Sequence, residues 1–203
     1  MKSVKLLMLN LHFWSSLSDF VISLIGIPYI LLPAPAGYGL GLLDSPRLLM
    51  YCMVTLVAAL AASVLALYEN RYFSLFGRNT WWKNYRKPFF VFITSIVPII
   101  FVPPYFNIPE QSSARELVLN QIPCQPPFIY KKREIFVLAL DYSIPVYSIA
   151  CGTLVLAVSI TTFGVLMGIN MVKVRISSMY SSNTFKIQRK FALALIIQAS
   201  TFF

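Results

Sequence analysis

The interpretation of the whole chain starts from one stretch, Ser63-Val64-Leu65-Ala66-Leu67-Tyr68-Glu69-Asn70-Arg71-Tyr72-Phe73. An apolar run that carries no charge from residue 48 to residue 68 ends here in a charged and aromatic junction. A charge-free run of this length matches one crossing of a lipid bilayer by an α-helix. The stretch therefore predicts the end of a membrane-spanning helix.

The composition supports a membrane protein. Of the 203 residues, 58% are hydrophobic and only 12% are charged, whereas a soluble domain carries about a quarter charged residues. The formal net charge of +10 is therefore attributed to loops beside a membrane, where Lys and Arg accumulate, and not to nucleic acid binding.

The apolar segments predict four spans and part of a fifth. Their approximate bounds are 6–32, 47–70, 88–106, 142–172 and 190–203. The last segment is too short to cross a bilayer alone, since a helix rises about 1.5 Å per residue. Pro28 is expected to kink the first span, and residues 107–134 to form a polar loop. The fold class expected is all-α, a transmembrane helix bundle that forms one domain over residues 1–203.

The distribution of cations predicts the orientation of the chain. With the amino terminus in the cytoplasm, the inner segments hold twelve of the 17 Lys and Arg residues, accompanied by one acid, Glu69. An excess of Lys and Arg marks the cytoplasmic side of a membrane protein. Three of the inner cations are Lys2, Lys5 and Arg71. The other nine are Arg78, Lys83, Arg86, Lys87, Lys173, Arg175, Lys186, Arg189 and Lys190.

Two groups of residues could act as polar switches. Asp19 lies near the centre of the first span, where a carboxylate is costly and is expected to face the bundle interior. It would be an ion- or water-linked switch, or a protonated or hydrogen-bonded packing residue. Glu69, Arg71 and Tyr72 at the inner end of the second span would form an ionic latch, unless Arg71 only extends its side chain to the interface.

A candidate ligand cavity follows from helical phase. Met53 precedes Arg71 by five helical turns and shares its face, about 27 Å away. Val57 lies on the stripe between them, and this apolar face would suit a small, apolar ligand. Asp141, Tyr142 and Tyr147 are the polar candidates for the same cavity. Ordinary packing between helices is the alternative for this stripe.

The remaining reactive residues are few. A disulfide between Cys52 and Cys124 is conceivable and left open, and Cys151 is expected to be a packing residue. The chain has one histidine, His12, so it lacks the paired histidines of an HExxH metal site. No Gly-rich phosphate loop or GxSxG motif is present. The sequence predicts no enzyme activity, no metal and no cofactor.

The motif Glu69-Asn70-Arg71-Tyr72-Phe73 resembles the helix-3 arginine motif of nematode serpentine chemoreceptors, class H in particular. Further matching segments lie at residues 10–12, 19, 28, 122–124, 141–147 and 186–198. The resemblance implies a G-protein-coupled receptor fold in which helices 2–5 are complete and helix 6 is partial. It also implies chemosensory function, a plasma-membrane location in a sensory cilium, and membrane lipids, a heterotrimeric G protein and a small-molecule ligand as partners.

By this resemblance, Arg71 would latch the inactive bundle and meet the G protein, with Glu69 and Tyr72 supporting it and the basic loops completing the docking surface. Relative to the family pattern, helices 1 and 7 would be missing, so we expect that the isolated chain does not signal. Two alternatives remain: a non-signalling truncated relic, and a transporter or channel with Asp19 and Asp141 as pathway charges. No inverted repeat supports the latter.

Overall fold

The structure is a computed structural model, and it describes residues 2–31, 36–43, 45–77, 80–121 and 135–176. Most of these residues are helical. Three short strands, which lie between the helices in the chain, form a small antiparallel sheet. The elements in chain order are α1 (Lys2–Phe20, continued by a wider π-helical turn, Val21–Gly26), β1 (Pro28–Leu31), β2 (Ala36–Gly39), α2 (Pro46–Leu75), α3 (Trp82–Ile99), α4 (Val102–Phe106), α5 (Gln111–Gln121), β3 (Phe136–Val137) and α6 (Ser143–Ile176).

Within the described part of the chain, four helical stretches are long and apolar enough to cross a membrane. They are Val4–Gly26, Pro46–Leu75, Trp82–Phe106 and Ser143–Lys173. Each carries the roughly 20 apolar residues that a crossing requires. The predicted helical membrane fold is confirmed, and α6 extends beyond the length that one crossing needs.

The first helix ends earlier than the sequence pattern suggested. Its last turn is π-helical, with the Ile27 N–H donating to the Ile22 carbonyl at 2.9 Å, and Ile27 then adopts a left-handed backbone with φ of 36°. A branched residue rarely takes this conformation, so it interrupts the helix. Pro28 follows as the first residue of β1. The expected helical bounds of 6–32, with a kink at Pro28, are therefore wrong at the carboxyl end.

The strands form a three-stranded antiparallel sheet in the order β1-β2-β3. Tyr29 pairs with Tyr38 between β1 and β2, and Gly37 pairs with Phe136 between β2 and β3. A Cβ at Gly37 would collide with the carbonyl oxygen of Tyr29, so only glycine permits this approach. The sheet was not predicted, because its strands are too short to show an alternating pattern.

The segment predicted as a polar loop contains a helix, α5. The Gln111 side-chain amide completes the edge of β3 by accepting from the Val137 N–H at 2.9 Å and donating to the Val137 carbonyl at 3.0 Å. Arg115 Nε donates to the carbonyl of Ile135. A small buried cluster holds α5 against the sheet and consists of Ala36, Ala114, Val118, Ile135 and Val137.

The chain divides into two compact units. One contains residues 1–11, 61–93 and 154 onward, and the other contains residues 12–60 and 94–153. In the first unit, Asn10 of α1 donates to Ser63 Oγ of α2 at 3.1 Å. In the second, the Tyr51 hydroxyl of α2 donates to the Pro98 carbonyl of α3 at 3.0 Å.

Four polar side chains of α6 are satisfied within their own helix. Ser159, Thr161, Thr162 and Asn170 each donate to the carbonyl four residues earlier, at 2.7 to 2.8 Å. Such bonds remove the cost of placing a hydroxyl or amide in hydrocarbon. In the second unit, α6 packs closely against Ile100 at Gly152. A Cβ added at Gly152 would lie 2.9 Å from Ile100 Cδ1.

Candidate functional site

The charged junction at the end of α2 is buried. Glu69 has no exposed surface, and its neighbours Leu67, Tyr68 and Asn70 are also buried. A carboxylate removed from water is strongly destabilising unless charged or hydrogen-bonding groups compensate it. The partners of Glu69 therefore identify the centre of this site.

Both partners come from α3. Arg86 Nε donates to Glu69 Oε2 at 2.9 Å and lies at the same distance from Oε1. The indole Nε1 of Trp82 donates to Oε1 at 2.8 Å. Hydrogen bonds to charged groups are stronger than neutral ones. Glu69 therefore ties α2 to the first two turns of α3 through both of its oxygens.

Arg86 makes further contacts with α2. Its Nη2 donates to Asn70 Oδ1 at 3.0 Å, and its guanidinium lies 4.3 Å from the ring centroid of Phe73. A cation over an aromatic face is attracted by the ring quadrupole. Sequence analysis placed Arg86 in a basic docking loop. That placement is wrong, because α3 begins at Trp82 and the Arg86 side chain, 28% exposed, is committed to α2.

An aromatic cluster joins three helices beside this ion pair. Phe163 of α6 is buried, and its ring centroid lies 5.2 Å from that of Trp82, 5.8 Å from Phe89 and 5.8 Å from Tyr72. Edge-to-face and tilted pairs at these distances add stability beyond the burial of their area. Tyr72 therefore contributes packing at this site, and Trp82 serves both the cluster and the ion pair.

Sequence reasoning identified Glu69, Arg71 and Tyr72 but missed Trp82 and Phe163 as their neighbours. Arg71 is half-buried, and its role as a switch stays a prediction. The signal available for Trp82 and Arg86 was an indole and a cation within one turn of helix, shortly after a buried acid. Phe163 carried no signal, since it is one of 16 phenylalanines.

A cavity of about 120 Å³ lies in the second unit. The cavity is partly open. The phenol of Tyr38 in its wall is neutral at neutral pH with its ordinary pKa, and desolvation and the neighbouring Tyr29 raise that pKa further. The lining residues are Pro28, Tyr29, Ile30, Ala36, Gly37, Tyr38, Gly39, Pro46, Leu49, Met50, Met53, Phe136 and Leu138.

Of the five residues expected at a ligand cavity, Met53 lies in this lining. Val57 is 54% exposed and Tyr147 is 73% exposed, and neither lines the cavity. Tyr142 is also exposed. Asp141 is exposed and caps α6, since its Oδ1 accepts from the Ser143 N–H at 2.9 Å and from the Ser143 hydroxyl at 2.8 Å. These two bonds hold the pKa of Asp141 below its ordinary value.

Asp19 does not point into the described packing. Its side chain is exposed, whereas its neighbour Ser18 is buried, because successive residues are rotated by about 100° around a helix with 3.6 residues per turn. The expected position of Asp19 facing the bundle interior, and its role as a switch, stay predictions. Cys52 is half-buried and Cys124 lies outside the described residues, so their pairing stays a prediction.

The other basic candidates divide into two groups. Lys83 and Lys87 lie in α3 and Lys173 lies in α6, and not in loops as expected. All three side chains are exposed. Their role stays a prediction. Four other basic candidates lie outside the described residues: Arg78, Lys186, Arg189 and Lys190. Arg175 lies in α6, but its side chain is outside the part that the structure describes.

The four long apolar helices of the described residues are those of a multi-pass helical membrane protein. The family model described as "Serpentine type 7TM GPCR chemoreceptor Srh" matches residues 1–203. The chain belongs to this family of G-protein-coupled chemoreceptors. This confirms the resemblance drawn from the Glu69–Phe73 motif.

One curated relative is serpentine receptor class H-72 of Caenorhabditis elegans, which is 31% identical over 140 residues. The alignment covers 61% of this chain and 38% of the relative. The matched region is thus well under half of that receptor's length. No solved structure matches the chain.

Proposed function

We propose that this sequence forms the part of a chemosensory receptor that binds a small apolar molecule and couples to a heterotrimeric G protein. The observation that carries the proposal is the Glu69-Asn70-Arg71-Tyr72 junction in a chain of the serpentine chemoreceptor family. The ion pair of Glu69 with Arg86 supports it, because it fixes this junction of α2 against α3. Arg71 is the residue assigned to G-protein contact.

The proposed orientation puts the amino terminus and the Glu69–Phe73 motif in the cytoplasm. The exposed cations Lys83, Lys87 and Lys173 support this assignment. An epitope tag before Lys2 should bind antibody in permeabilised cells and not in intact cells. Equal antibody binding in intact cells would show the opposite orientation, in which the Glu69–Phe73 motif lies on the side of the membrane away from the G protein.

The signalling role can be tested in a chimera. Residues 1–203 replace the matching segment of the class H-72 receptor, and a G-protein biosensor reports responses to a panel of small apolar volatiles. We expect a response from the chimera, none from the isolated chain, and loss of the response in Arg71→Ala at equal surface expression. Lys5→Ala is the matched control, because Lys5 is an exposed cation of α1 outside the proposed docking surface. A chimera that reaches the surface and stays silent, or one in which Arg71→Ala responds normally, contradicts the proposal.

A ligand changes the receptor only if it binds one arrangement of the helices more tightly than another. The test therefore compares ligand-dependent responses, and not basal signal alone. The same cells distinguish a receptor from a transporter. If the protein were a transporter, the cells would accumulate the volatile, and Arg71→Ala would have no effect on the biosensor signal.

A further inference from the structure

The cavity in the second unit is built from three separate parts of the chain. Tyr29 of β1 and Tyr38 of β2 stack with their ring centroids 4.9 Å apart and form one wall. Met50 and Met53 of α2 form a second wall, and Phe136 closes a third side. Aromatic and thioether groups therefore dominate the surface that an occupant would touch.

The chemistry of the lining excludes most polar ligands. The polar side-chain groups among the lining residues are the hydroxyls of Tyr29 and Tyr38, and the others are aliphatic, thioether or phenyl groups. A hydroxyl or amine that enters such a space finds few groups to replace its hydrogen bonds to water. An apolar molecule loses nothing comparable and gains contact with the walls.

The volume limits the size of the occupant. An enclosed apolar cavity of about 150 Å³ holds benzene or xenon. The cavity in this chain is partly open and has a volume of about 120 Å³, so the space between its walls suits a molecule of similar or slightly smaller size. Methionine side chains adapt their shape and make favourable sulfur–aromatic contacts, and the tyrosine pair offers aromatic surface for stacking.

We propose that this partly open cavity, lined by the β1–β2 hairpin, α2 and Phe136, is a binding site for one small apolar molecule about the size of benzene. The inference rests on the proposed receptor function in one respect: if the protein is a chemosensory receptor, the molecule in this cavity is its ligand. It differs from the cavity expected from the sequence, because Val57, Asp141, Tyr142 and Tyr147 are not part of it.

The test uses the purified 203-residue chain in lipid nanodiscs and fluorobenzene as the probe, observed by ¹⁹F NMR. Partition into lipid is not saturable and is measured in empty nanodiscs. We expect an additional saturable broadening that corresponds to one site per chain and that benzene displaces. A saturated sixteen-carbon fatty acid should not displace it, because an acyl chain exceeds the volume of the cavity.

Two variants fill the cavity, Met53→Trp and Leu138→Trp, so that failure of either one to fold leaves the other. We expect at least tenfold weaker binding in both. Val57→Trp is the matched control, because Val57 lies one helical turn from Met53 and outside the lining, and it should bind as the unaltered chain does. Helical circular dichroism and thermal unfolding confirm that each variant is folded.

Three outcomes overturn the proposal: no saturable component, equal binding in the filled variants, or displacement by the fatty acid, which would assign the space to a lipid chain. The readout is binding and not signalling. Saturable binding with a silent chimera would therefore refute the receptor proposal and leave this site standing, and a responsive chimera without saturable binding would do the reverse.

Discussion

Glu69 of α2 and Arg86 of α3 form an ion pair in which the carboxylate is fully buried and the guanidinium Nε lies 2.9 Å from it. The two residues stand on either side of a short connection between consecutive helices. Trp82 Nε1 and Asn70 Oδ1 belong to the same hydrogen-bond network. Removal of any one member therefore leaves a polar group without that hydrogen bond in an apolar environment. The pair thus fixes how the end of α2 meets the beginning of α3.

Removal of Arg86 should be costly. Arg86→Met leaves the Glu69 carboxylate buried without its charge partner, which costs about 3 kcal/mol at the lower end of the range for broken buried pairs. The lower end applies because Arg86 is 28% exposed. Thermal unfolding in detergent measures the loss. Lys87→Met, at an exposed position of the same helix, should change stability by at most about 0.5 kcal/mol. Equal losses in the two variants would show that the ion pair contributes nothing.

Trp82→Phe should separate the hydrogen bond from the packing. The phenyl ring retains contact with Phe163, but the donor to Glu69 Oε1 at 2.8 Å is lost. A hydrogen bond to a charged group is worth about 1.5–3 kcal/mol, and the unfolding free energy should fall by that amount. Trp81→Phe is the matched control, since Trp81 is 71% exposed. A smaller effect at Trp82 than at Trp81 would contradict the assignment.

Two glycines of α6 should respond in opposite directions. A Cβ at Gly168 meets nothing within 4 Å, so Gly168→Ala should stabilise the chain by about 0.5–1 kcal/mol through backbone entropy. At Gly152 a Cβ already lies 2.9 Å from Ile100 Cδ1, so Gly152→Val should cost about 1–3 kcal/mol through overpacking. Ile100→Ala should relieve part of that cost in the double variant. Stabilisation by Gly152→Val would refute the contact.

The cap of α6 should titrate in acid. The N–H and hydroxyl of Ser143 lower the pKa of Asp141, so its contribution to stability is present above the unfolded-state pKa of about 3.9 and is lost as the pH falls through the lower folded-state pKa. Asp141→Asn keeps an acceptor oxygen without the charge and should flatten the dependence of the unfolding temperature on pH below about 4. Glu116→Gln, at an exposed position of α5, is the control and should leave that dependence unchanged.

The spans were accessible from the sequence because the hydrocarbon core demands long charge-free helices, and residues 48–68 satisfy that demand without ambiguity. The Glu69–Phe73 motif was likewise visible as a charge step. The ion pair was not, because a cation in a basic segment carries no mark of its partner, and Arg86 resembled its neighbours Lys83 and Lys87. The cavity was missed for a related reason, since helical phase relates residues on one helix but not a hairpin to a helix.

The self-contained hydrogen bonding of α6 has a mechanical consequence. Because Ser159, Thr161, Thr162 and Asn170 each bond to their own helix, none of these bonds ties α6 to another helix. A rotation of α6 about its own axis would leave all four bonds intact, so they satisfy polar groups in hydrocarbon without opposing such a rotation.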